Sequence, residues 1–189
     1  KQTCFCFWES SHESPDPLPV FNPNPYQITL CLKDRGPLGL LVRIIRLPGI
    51  HHDANAVLFS GSDSSILIDA GTTWYQMLQV ERIAGHLGED SKLERILLTS
   101  RRYPFSGGAK HISDTYGGIP IGIHGDAISV METGDFYSTW ANRYDSDMPS
   151  TNCEPVSQGD VFSLGDGDIF AISLPGHCTD GMGYFEKNR

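Results

Sequence analysis

Residues 96–112 read ILLTSRRYPFSGGAKHI, and this stretch constrains the fold more than any other part of the chain. The apolar run Ile96-Leu97-Leu98 has the length and composition of a buried strand end. It breaks at Thr99 into a short polar loop, then passes through Gly107-Gly108 into a helix-like start at Ala109. A strand that ends in a polar loop and then opens a helix is the unit on which α/β proteins place their chemistry. The sheet holds the loop rigid while the loop projects side chains into the crevice at the strand ends. An α/β fold with its site on this loop is the expectation.

The flanking sequence supports that class. Upstream, residues 26–32, 40–47, 56–60 and 65–69 are short aliphatic runs separated by turn residues, an antiparallel meander with a tight turn at 61–64. After Ala70 the period changes. Trp74, Met77, Leu78, Ile83, Ala84 and Leu87 follow helical spacing, with Thr72 or Thr73 as N-cap and Gly88 as the stop. Strand and helix signals then alternate: strand 96–99, helix 109–116, strand 119–124, short helix 126–132. Residues 134–153 are polar and aromatic without a period and read as a long loop or insert. Strands at 161–164, 169–174 and 182–185 follow. Residues 1–26 carry Pro15, Pro17, Pro19, Pro23 and Pro25, which block helix. They read as an N-terminal arm whose aromatic residues pack on something, leaving 27–189 as the domain.

Composition narrows the partners. The 189 residues carry a formal net charge of −9, which argues against a nucleic-acid partner held by phosphate contacts. No apolar run approaches the roughly 18 residues of a membrane span. Five cysteines, an odd and scattered set, are no disulfide framework, so a cytoplasmic setting with reduced thiols is expected. The chain opens on Lys1, which is compatible with removal of a leader.

Four short motifs resemble the metallo-β-lactamase superfamily. Asn55-Ala56-Val57-Leu58 with Ile66-Leu67-Ile68-Asp69-Ala70-Gly71 is similar to its opening hairpin and "liDtG" signature. Ile96-Leu97-Leu98-Thr99 with Ser106-Gly107-Gly108-Ala109 is similar to the frame of its H-x-H-x-D-H metal motif. Ile119-Pro120-Ile121 with His124 and Asp126 resembles the segment that follows. Residues 174–184, LPGHCTDGMGY, resemble the "PGHTpGs.g" metal loop. The resemblance implies an α/β metallo-β-lactamase-like αββα sandwich. It covers the first two-thirds or so of such a domain, so the C-terminal part is expected to be missing. A protein partner or a missing C-terminal segment should then cover one sheet face.

The same resemblance implies a zinc hydrolase, and the residues contradict that chemistry. The four motif positions hold Ser100, Arg102, Pro104 and Phe105. A catalytic zinc needs about three Cys, His, Asp or Glu ligands and one open position. Arg is permanently cationic, and Pro and Phe offer no donor atom. His177 is the one ligand the motifs retain. Asp69, Gly107 and Gly108 are expected to support the loop structurally.

The leading expectation is therefore a degenerate, non-hydrolytic pseudoenzyme that serves binding or structure without a cofactor. A second reading is an active metal-dependent hydrolase of thioesters, lactones, lactams or phosphodiesters. It would recruit zinc through His177, His51 or His52, His124 and residues beyond 189. A third is a metal-free anion-binding module, in which Arg101 and Arg102 combine with free loop amides. The bland alternatives are an arginine paired with an acid and solvated loop histidines. Cys178 follows His177 directly, and a neighbouring residue is not expected to face it as a catalytic base.

Overall fold

The structure, a computed structural model, describes residues 42–87 and 91–186. The N-terminal arm, the expected strand at 26–32 and the helix stop at Gly88 lie outside the described residues.

The three antiparallel strands form as their alternation requires: β1 (Arg43–Leu47), β2 (Ala56–Ser60) and β3 (Ser64–Ile68). The β2–β3 turn is closed by Gly61 N donating to Ser64 O at 2.9 Å. It is pinned to the other sheet, because Asp63 N donates to Leu164 O and Ser62 N to Asp166 Oδ1. All five residues of β3 are buried, as expected for a strand covered on both faces.

The change of period after Ala70 marks the change from antiparallel to parallel pairing. Helix α1 (Gln76–His86) follows a 3₁₀ turn at Thr73–Tyr75, which Thr72 caps by accepting from Trp74 N. Strand β4 (Lys92–Leu97) then runs parallel to β3. A single helical turn, α2 (Tyr103–Ser106), and helix α3 (Ala109–Thr115) lead to β5 (Ile121–His124), parallel to β4. Helix α4 (Ile128–Thr133) ends at Gly134 in the left-handed conformation. The aperiodic insert contains a 3₁₀ turn at Ala141–Tyr144 and returns to a short strand, β6 (Glu154–Val156), beside β5. Neither α2 nor β6 carries a sequence signal, since both are shorter than the window over which a period can be recognised.

The six strands form one sheet in the order β1-β2-β3-β4-β5-β6. A second sheet consists of β7 (Val161–Ser163), β8 (Asp168–Ser173) and β9 (Met182–Glu186). Two apolar clusters separate three layers. Leu58, Leu67, Ile96 and Leu98 pack against Ile83, Ile112 and Met131 of the helices. Phe59, Ile66, Ile68 and Leu97 pack against Ile169, Ala171 and Met182 of the second sheet. Residues alternate along β8, so Ile169 and Ala171 face inward while Ile172 is exposed. Val161 and Phe185 of the same sheet, and Leu174 just past β8, are also exposed, at 51%, 47% and 45%. Among the described residues, no helix is long and apolar enough to cross a membrane.

Candidate functional site: the loop after β4

The loop after β4 is anchored from below by Asp69. Its carboxylate accepts from Thr99 N at 2.8 Å and from Thr99 Oγ1 at 2.8 and 3.0 Å. Asp69 itself adopts a left-handed backbone with φ 60°, uncommon outside glycine but tolerated by Asp.

Burial raises the Asp69 carboxyl to about 7 against the opposing pull of the Thr99 donors. The sign follows from linkage. Between the ordinary value of 3.8 and about 7, the folded state holds a proton that the unfolded state has released. Asp69 therefore contributes stability that is fully present at the acid end, declines as pH rises through this window and is lost above it. Asp69→Asn should remove that component. The difference in unfolding free energy between wild type and variant, measured by urea denaturation across this range, should fall with rising pH and level off near 7. A flat difference would refute the assignment.

The glycines close the loop from behind. Gly108 N donates to Gly71 O at 2.9 Å, and a β-carbon on Gly108 would stand 2.5 Å from Ala70 O. One on Gly107 would meet the Tyr103 ring at 2.7 Å. Ala70 N donates to Phe105 O and Ala54 N to Pro104 O, so two of the altered positions are tied to the β2–β3 region through their backbone.

The remaining motif positions are occupied by a new set of contacts. Ser100 is buried, and its Oγ lies 3.4 Å from Cys178 Sγ and accepts from Arg102 N at 3.2 Å. Arg101 N donates to Asp180 Oδ2 at 2.7 Å, and Arg101 Nη1 approaches Asp180 Oδ1 at 3.2 Å as an ion pair. The Asp180 side chain is completely buried. Arg102 lies over the Trp140 indole, its guanidinium carbon 3.4 Å from the ring centroid, and donates to Ser138 O at 3.2 Å. Tyr103 N donates to Thr139 O at 2.9 Å, so the insert is fastened across the loop. Tyr103 Oη, fully buried, meets Thr73 Oγ1 and Ser146 Oγ, each at 2.5 Å.

These contacts correct one expectation. The amides of Arg101, Arg102 and Tyr103 are spent on Asp180, Ser100 and Thr139, so the loop has no row of free amides for an anion. The acid that pairs with Arg101 comes from the loop between β8 and β9, as the bland alternative had it.

A second correction concerns His177 and Cys178. His177 Nδ1 lies 3.7 Å from Cys178 Sγ, because the backbone turns here instead of running extended. Burial pushes the Cys178 thiol up, Asp180 adds to the rise, and the Ser100 and Arg102 contacts only oppose it. His177 is exposed, with its ring 6.2 Å from Phe105.

The other histidines are dispersed. His51 hydrogen-bonds Tyr75 Oη through Nδ1, whereas His52 packs edge-on against Trp74 and Tyr144. His124 accepts from Asp126 N at 3.2 Å and caps the following turn. Among the described residues, no three His, Cys, Asp or Glu side chains assemble as a metal-ligand group. Zinc, which the resemblance implies, does not fit the side chains present on the loop.

With this geometry in view, the comparisons with known proteins can be set beside it. No family model matches the chain. The subclass B3 metallo-β-lactamase BJP-1 of Bradyrhizobium japonicum superposes with a TM-score of 0.64 at 23% identity, covering 79% of this chain and 55% of that one. A metallo-β-lactamase of Cronobacter sakazakii gives 0.61 at 20% identity, covering 75% and 53%. The chain has the metallo-β-lactamase fold.

In sequence, an acyl-coenzyme A thioesterase of Gallus gallus, MBLAC2, is 28% identical over 144 residues, 66% of this chain and 50% of that protein. The chain thus spans about half the length of the curated relative it matches. Within the metallo-β-lactamase fold, Asp180 and the Trp140 insert are the functional-region residues that sequence reading missed. For Asp180 a signal existed: a lone acid beside His177 on the loop that must face Arg101. For Trp140 there was none.

Proposed function

We propose that this metallo-β-lactamase-fold chain is a non-hydrolytic module whose metal loop has become a metal-free, self-bonded structure serving binding. The Arg101–Asp180 ion pair carries this reading. It links the β4 loop to the β8–β9 loop, so a cation and its counter-charge supply an attraction between the two sheets without a metal. A dication there would meet the fixed positive charge of Arg102, and the acid that could offset it is already paired with Arg101. Among the described residues, His177 belongs to no group of three metal-ligating side chains.

The exposed outer face of the second sheet belongs to the same reading as the surface that a protein partner or a C-terminal segment covers. The competing reading, a thioester hydrolase like the relative from Gallus gallus, requires metal. Protein equilibrated with excess zinc and then desalted should carry well under one equivalent by elemental analysis. It should also leave an acyl-coenzyme A thioester uncleaved. Stoichiometric zinc together with turnover that a chelator abolishes would establish the hydrolase instead.

A further inference from the structure

Trp140 is held in an unusual way. It adopts a left-handed backbone with φ 64° and ψ 19°, a conformation costly for a bulky residue. Its surroundings over-determine it. Asp135 Oδ1 accepts from the amides of Tyr137 and Ser138, both at 2.9 Å. Trp140 N donates to Tyr137 O, and Arg143 N donates back to Trp140 O at 3.0 Å. Two guanidinium groups share its indole, with the Arg102 carbon 3.4 Å and the Arg143 carbon 4.1 Å from the centroid.

Stacking on a ring orients a guanidinium and leaves its in-plane N–H donors pointing outward. Few of those donors have partners. Arg102 Nη1 is bound to Ser138 O, and Arg102 Nε is buried without a hydrogen bond. Among the described residues, neither Arg102 nor Arg143 forms a salt bridge. Asp180, the acid acting on Arg102, is already committed to Arg101. Asp135 is spent on its own turn. Burial lowers the Arg102 guanidinium from its usual range, and the neighbouring charges of Arg101 and Arg143 lower it further. Two guanidinium groups on one indole, with the acid nearest Arg102 already paired with Arg101, are a local exception on a protein of net charge −9.

We infer that Arg102 and Arg143, presented on Trp140, form a binding site for an oxyanion group, phosphate or carboxylate, of a small molecule. The site differs from the anion module read from sequence. Arg101 is excluded by its pairing with Asp180, and Arg143 takes its place. Planar guanidinium forks match the paired oxygens of both anion types, and the anion relieves the repulsion between the two cations. The inference rests on reading the loop as metal-free.

Isothermal titration of the full chain with pyrophosphate, and separately with succinate, separates the two chemistries. Both titrations run in chelator at an ionic strength matched with sodium chloride. At least one anion should bind saturably with one site per chain. Arg143→Gln and Arg102→Gln should each weaken binding about ten-fold or more. Lys110→Gln, at an exposed lysine paired with Asp114 on α3, should change nothing. Arg143 is exposed, so its variant tests the site without disturbing the loop. If neither anion binds beyond the chloride control, or Arg143→Gln binds like wild type, the inference fails and the metal-free reading stands. If binding needs added zinc, both fail together.

Discussion

Asp180→Ala should destabilise the protein by about 3 kcal/mol, a fall of roughly 6–12 °C in midpoint for a domain of this size. Removing one partner of a buried ion pair leaves the other charge without compensation, at about 3–5 kcal/mol. The lower end applies because the Arg101 side chain keeps 19% of its exposure and can recruit water. The backbone contributes as well, since Arg101 N loses its acceptor at 2.7 Å. A rescue separates charge from hydrogen bond. Arg101→Met combined with Asp180→Asn keeps an acceptor for that amide and removes both charges. It should lie within about 1 kcal/mol of wild type, because a buried ion pair is often replaceable as a unit. Urea denaturation in chelator measures all three proteins. A loss below about 0.5 kcal/mol in Asp180→Ala would mean the pair is not holding the two loops together.

The second large effect is expected at Gly108. Its dihedrals, φ −81° and ψ −8°, suit any residue, so alanine there would ordinarily gain a few tenths to about 1 kcal/mol through the unfolded chain. Contact reverses the sign. A β-carbon would stand 2.5 Å from Ala70 O and 3.2 Å from Thr72 O, and the nearer atom is backbone. The Ala70–Gly71 segment cannot withdraw freely, because Ala70 N is bound to Phe105 O at 2.7 Å and Gly71 O to Gly108 N. Gly108→Ala should therefore cost about 2–3 kcal/mol, at the upper part of the range for overpacking. Gly117→Ala offers a contrast. No atom stands within 4 Å of its β-carbon, so the cost there arises only from its φ of +86°. A Gly108→Ala protein as stable as wild type would show that α3 can slide away from the β3 loop.

Both predictions bear on what the motif loop has become. Thr99 before it and Gly107-Gly108 after it were legible in the residues, because the close backbone approach at the glycines imposes a local demand that few residue types satisfy. The residue types at Ser100, Arg102, Pro104 and Phe105 were equally legible, and Arg, Pro and Phe are not zinc-ligand types. The new partners were not. Ser100 against Cys178 and Arg102 against Trp140 are contacts between side chains with no fixed spacing. The 134–153 insert has no period from which its path could be drawn.

The sequence alone determined the alternation of strand and helix, the meander before Ala70, the metallo-β-lactamase scaffold and the residue types at the four motif positions. Each of these depends on neighbours within a few residues, where backbone geometry translates spacing into direction. Only the tertiary structure decided that Arg101 is neutralised by an acid 79 positions away. It also decided that Trp140 carries two guanidinium groups and that the amides of Arg101, Arg102 and Tyr103 are taken by Asp180, Ser100 and Thr139. Those outcomes depend on how two sheets and an aperiodic insert close over one another, and packing of that kind leaves no periodic trace in the chain.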